Sequence, residues 1–272
     1  MKRLFFDYHM QISYSRPVSC CHYTIKCLPG NTDRQRVEEI HMELLPESRY
    51  CRGEDSWGNA MIFGSVEEAH DSFQYRIKGR VTTGLAESES LGRENLLGLY
   101  RYVGDASGGG LASAGESLKE YGKKLRQQYG GQASLELALE MMHRLHGDFT
   151  YQPHVTDVHT TAQTAWELGA GVCQDYAHIL IVLCRLAGIP ARYAAGLMIG
   201  EGASHAWVEV LDGQRWYGLD PTNDLPVNED YIRLGIGRDA ADCALNRGLV
   251  LGGGCQTQTV SVAVREIPAD EK

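Results

Sequence analysis

The chain has 272 residues, of which 43% are hydrophobic and 22% charged, with a formal net charge of −9. Length and composition suit two globular domains that bury a core without disulfide or metal staples. The acidic balance argues against nucleic acid as a partner, because phosphate recognition needs a basic face.

After Met1–Lys2–Arg3 the apolar run is only Leu4–Phe5–Phe6 before Asp7, too short for a signal peptide. No stretch approaches the roughly 18 apolar residues of a membrane span. The expectation is a cytoplasmic chain without membrane contact, whose 8 cysteines stay reduced. None of them forms a CxxC pair, and His143–His146 and His154–His159 lack an accompanying ligand set. No calcium loop is visible, so neither a metal nor another cofactor is expected.

Taken in chain order, the first 85 or so residues read as short strands: Tyr8–Tyr14, His22–Leu28, Glu39–Leu45, Ala60–Phe63 and Phe73–Val81. Pro17, Pro29–Gly30–Asn31, Pro46 and Gly58–Asn59 punctuate them as turns. This spacing predicts a small all-β sandwich over residues 1–90. Gly104–Gly115 has no apolar period and contains Gly108, Gly109 and Gly110, so 91–115 reads as a linker to a second domain over 116–272.

Helices are expected at Ser117–Tyr129 and Ser134–His146. In the second, Leu135, Ala138, Leu139, Met142 and Leu145 keep the helical period, and Ser134 is placed to cap it. A third helix over Cys173–Ala187 stops at Gly188, with Pro190 just beyond. Ile179 through Cys184 are apolar without interruption, so this helix is buried on all sides and Cys184 reads as a core thiol. Its first turn instead carries Cys173 and Asp175. Strands follow at Ala191–Ile199, His205–Leu211, Gln214–Asp220, Tyr231–Ile236 and Thr257–Arg265.

Asp212–Gly213 signals a two-residue type I′ hairpin turn. That turn pairs Leu211 with Gln214, Glu209 with Trp216 and Trp207 with Gly218, and it sets His205 directly opposite Asp220. Opposed side chains lie roughly 5 Å apart at Cβ, within reach of an imidazole–carboxylate hydrogen bond. Ala206, Val208, Val210, Tyr217 and Leu219 then share a core-facing side. A thiol at a helix N-terminus beside an imidazolium is set up as a thiolate nucleophile, and the Cys173 N–H could donate to an oxyanion. Asp220 would hold the imidazole in the right tautomer. On these grounds alone a surface histidine, a turn-capping aspartate and a buried thiol remain open.

Four motifs narrow this choice: Gly171-Val-Cys-Gln-Asp-Tyr-Ala-His178, Gly188-Ile-Pro-Ala-Arg-Tyr193, His205-Ala-Trp-Val-Glu-Val210 and Gly218-Leu-Asp-Pro-Thr-Asn223. In order and spacing they resemble the bacterial transglutaminase-like superfamily. Gly237-Arg-Asp-Ala-Ala-Asp242 and Asp55-Ser-Trp-Gly-Asn59 look like the family's outer parts. The resemblance implies an α+β fold: a papain-like core, with a central Cys-bearing helix packed on an antiparallel sheet, preceded by a β-domain. It implies Cys173 as nucleophile, His205 as general base and acid, and Asp220 as orienter. Gln174 stands where arginine is common, and Cys243 stands in place of an apolar residue. No side chain stands out as a second oxyanion donor; Tyr151, Gln163, Trp166, Asp175 and His178 read as structural. The implied activity is acyl transfer through a thioester on a peptide or protein amide, with hydrolysis favoured because water is always available. Transamidation to an amine and a non-catalytic binding protein on the same fold are the alternatives.

Overall fold

The computed structural model describes residues 1–92, 94–105 and 110–268. The strands longer than two residues are β1 (Lys2–Ile25), β2 (Gln35–Leu45), β3 (Tyr50–Glu54), β4 (Ala60–Val66), β5 (His70–Thr83), β6 (Ala191–Met198), β7 (Gly200–Gly202), β8 (His205–Asp212), β9 (Arg215–Asp220), β10 (Tyr231–Gly237), β11 (Asn246–Gly252) and β12 (Gln256–Glu266). The helices are α1 (Leu97–Arg101), α2 (Glu116–Tyr129), α3 (Ser134–Asp148), α4 (Ala162–Leu168) and α5 (Cys173–Leu186).

β1 is one continuous strand where two were expected. Pro17 does not turn the chain. It falls where the ladder to β5 jumps from Ser13–Ser72 to Val18–His70, so no ladder bond is asked of it. Across this irregularity the buried face switches. Even-numbered residues Leu4 to Tyr14 are buried before it, and Cys21, Tyr23 and Ile25 after it. The first half of β1 carries β5 and β12, and the second half carries β4 and β11. The two halves close on one core, where the rings of Tyr23 and Phe73 lie 4.9 Å apart. The expected sandwich is therefore a single eight-stranded sheet folded about β1.

The boundary expected at residue 115 does not divide the sheets. β11 and β12, assigned to the second domain by position in the chain, both lie along β1. The Val262 and Val264 side of β12 matches the buried face of β1, and both valines join its core. β7, just ahead of His205, pairs with β12 and extends the same sheet. The linker is also more ordered than its composition suggests. It holds α1, and Gly104–Asp105 pairs with Ser113–Ala114; the triple glycine falls largely outside the described residues.

The second sheet runs β9–β8–β6–β10, all antiparallel, with Glu89–Ser90 and Leu225–Pro226 along β9. α5 packs on this sheet, and every residue from Asp175 to Arg185 is buried. The α+β class and the helix-on-sheet core are as the motifs imply. α4 was not foreseen, and Ala133 rather than Ser134 is the cap of α3.

The two sheets meet along the edge of β10. The Gln35 amide accepts from Arg233 N and donates to Arg233 O, both at 2.8 Å. The Asn59 amide does the same for Ile236, again at 2.8 Å. Two side chains thus occupy an edge that a neighbouring strand would otherwise fill. Behind it, Glu209 is buried between Arg192 at 2.6 Å and Arg233 at 3.0 Å, and Arg192 lies 4.2 Å over the Trp216 ring.

Candidate active site

The hairpin turns one residue later than expected. Asp212 pairs with Arg215, Leu211 with Trp216 and Glu209 with Gly218, so the central residues are Gly213 and Gln214. Gly213 takes φ +58°, while Gln214 has no positive φ; only the first central position needs glycine, as in a type II′ turn. The register therefore slips by two, and His205 stands diagonal to Asp220 rather than opposite it. A slip of two keeps every side chain on its face. Val208 opposes Leu219 and Val210 opposes Tyr217 on the core side. The diagonal is still short enough for His205 Nε2 to meet Asp220 Oδ2 at 2.7 Å.

Asp220 ends β9 and is fully buried. Its Oδ1 accepts from the backbone N–H of Thr222 at 2.9 Å and of Asn223 at 3.2 Å. Its Oδ2 accepts from Asn223 Nδ2 and Tyr231 Oη, each at 2.7 Å, besides His205. Burial alone would raise this carboxyl, but the hydrogen bonds from His205, Tyr231 and Asn223 hold it below the usual carboxylate range. Asn223 lay within a quoted motif without a role. Tyr231 carried no sequence signal, because its strand joins the site only through the strand order.

With Nε2 committed to Asp220, Nδ1 is the ring nitrogen left for the Cys173 sulfur. Burial alone would lower the His205 pKa. Hydrogen bonding to Asp220 and Cys173, together with their charge, outweighs it and raises the imidazole to about 10. Cys173 is half-buried at the start of α5. The structure thus holds His205 on Asp220 and close enough to Cys173 for the thiol to raise its pKa.

The turn before Cys173 is fixed by Asp175. Its Oδ2 accepts from Val172 N at 2.8 Å, reaching back from the third helical position as in half of a capping box, and from Thr156 Oγ1 at 2.6 Å. Gly171 leaves room for this carboxylate: a Cβ there would stand 2.8 Å from Asp175 Cβ. Gly171→Ala is therefore expected to destabilise the chain by about 1–3 kcal/mol through overpacking, read as a lower urea midpoint. An unchanged midpoint would mean that Asp175 is free to move aside.

The remaining sequence candidates have local partners. Gln163 accepts from Gly115 N and donates to Ser117 and Glu167, and Trp166 stacks on Tyr121 at 4.3 Å. His178 Nε2 accepts from Ala240 N. His143 pairs with Asp224 at 2.5 Å, and His146 Nδ1 lies 3.1 Å from Pro221 O, so both brace the loop that follows Asp220. Tyr151 pairs with Gly171 two residues before Cys173, and its ring is exposed.

Residues 123–221 match the transglutaminase-like superfamily, and residues 6–82 match the bacterial transglutaminase-like N-terminal region. An uncharacterized protein of Mycobacterium leprae is 26% identical over 270 residues, covering 93% of this chain and 95% of that protein. A protein-glutamine gamma-glutamyltransferase of Pseudomonas aeruginosa is 30% identical over 114 residues, which is 36% of this chain but 17% of the relative. In fold, a candidate cysteine protease from Cytophaga hutchinsonii matches with a TM-score of 0.77 at 20% identity, over 100% of this chain and 93% of that one.

Proposed function

We propose, on the premise that this chain belongs to the bacterial transglutaminase-like superfamily, that it is an enzyme transferring acyl groups through a thioester on Cys173, with water as the acceptor. What carries the reading is His205, beside Cys173 and bonded to a buried Asp220 that accepts five hydrogen bonds. In the forward step the Cys173 sulfur attacks the carbonyl carbon of a peptide or amide, its proton already held on His205 Nδ1. The oxyanion takes the Cys173 N–H at the head of α5. Collapse expels the amine, which leaves with the proton from His205. Water then attacks the thioester, gives a proton to His205, and the thiol is restored as the acid departs.

The same thioester met by a primary amine gives transamidation, the activity named for the Pseudomonas relative. A nucleophilic site of this kind is expected to react with iodoacetamide at Cys173 at least about tenfold faster than at the exposed Cys51 and Cys255. His205→Ala should remove that advantage. Equal rates at the three thiols sink the reading. Product analysis of an acylated substrate, with and without added amine, then separates hydrolysis from transfer.

A further inference from the structure

Four exposed large apolar side chains lie on segments that flank the nucleophile. Tyr151 is 54% exposed, Val155 37%, Val158 67% and Leu168 55%. Each is tied to the turn that carries Cys173. Tyr151 pairs with Gly171. Thr150 N donates to Gly169 O, next to Leu168. Thr156, next to Val155, donates to Asp175, and Gln174 Nε2 reaches Asp157 O at 3.4 Å, next to Val158. The segment 151–160 contains no lysine or arginine, and its single carboxylate is already engaged. Asp157 Oδ1 accepts from His159 N at 2.8 Å and from Thr160 Oγ1 at 3.1 Å. On the sheet side of Cys173, Asn223 Nδ2 lies 3.6 Å from the Met198 sulfur.

Apolar side chains held in the open at this density mark a contact surface. Here the segments that carry them are bonded to the turn that presents the attacked sulfur, so their occupant is the acyl donor itself. We infer that Tyr151, Val155, Val158 and Leu168 form a subsite for an aromatic or branched aliphatic side chain next to the carbonyl that Cys173 attacks. The inference rests on the thioester reading and adds the class of substrate to it. A charged side chain at that position would lose water against these apolar side chains.

The test uses peptidyl acyloxymethyl ketones that differ only in the residue beside the warhead: leucine, phenylalanine, glycine, aspartate or lysine. Iodoacetamide, which carries no side chain, is the reference. The intact chain is expected to react at Cys173 at least about tenfold faster with the leucine and phenylalanine probes than with the aspartate and lysine probes. In the double variant Tyr151→Ser, Val158→Ser that ratio should fall toward one. Because it is a ratio, a smaller folded fraction does not alter it. Equal rates across the five probes, a preference for a charged residue, or a ratio that the double variant leaves intact would each overturn the subsite while the thioester reading stands. A Cys173 slow toward iodoacetamide as well would overturn both.

Discussion

Asp220→Asn is expected to lower the rate of Cys173 acylation by on the order of 10⁴-fold while the chain still folds. The argument lies in how the five hydrogen bonds divide. Oδ1 faces two backbone N–H groups, from Thr222 and Asn223, so in the variant this position must remain the carbonyl oxygen. The amide nitrogen then falls at the Oδ2 position, against His205 Nε2. There it donates to the ring and forces the other tautomer, with the proton on Nδ1. An imidazole in that state cannot accept the thiol proton. The charge that helps hold His205 at about 10 is lost as well. The cost to stability is smaller, about 1–3 kcal/mol: Tyr231 Oη can rotate to accept, but Asn223 Nδ2 then faces a donor and loses its bond. Single-turnover acylation, with far-ultraviolet circular dichroism as the check on folding, measures both. A variant within tenfold of the parent would show that the carboxylate does not set the tautomer.

Glu209→Gln is expected to cost about 3 kcal/mol of stability, because it leaves the buried Arg192 guanidinium without its counter-charge and Arg233 with Glu89 alone, at 3.6 Å. Burial pushes Glu209 up, but the two arginines outweigh it and hold the carboxyl at about 2. The folded chain therefore keeps the group charged where the unfolded chain, at about 4.5, has begun to take a proton. Its stabilising contribution is present in full above that pH and is lost as the pH falls toward 2. His178 acts in the adjoining window. Burial depresses it to about 3, so below about 6.5 unfolded chains bind a proton that the folded chain does not. Urea midpoints should thus fall in two stages on acidification, and the variant should keep the first and lose most of the second. A loss below 1 kcal/mol at neutral pH would count against the buried triad as a main support of the interface.

The readable part of this molecule was the part governed by local pattern. Continuous apolar character from Ile179 to Cys184 sufficed for a buried helix, and alternation sufficed for the faces of β8 and β9. The turn was misplaced by one residue because Asp–Gly and Gly–Gln both satisfy a two-residue hairpin, and only the backbone angles of the folded chain choose between them. Proximity of His205 to Asp220 survived the error because a slip of two preserves the face. Tyr231 could not be foreseen, since β10 reaches the site through the order of strands and not through any spacing along the chain. The placement of β12 failed for the same reason: its alternation identifies a strand but not the sheet that it joins.

β7 ends three residues before His205 and is at the same time an edge strand of the other sheet. His205 is thus bound by its own ladder to one sheet and joined through Ala203 and Ser204 to the other. For the same reason residues 116–272 are a poor candidate for transplantation as an independent catalytic cassette. Such a fragment would carry β12 without the strand it lies on and β10 without the amides of Gln35 and Asn59, a combination that favours self-association over turnover.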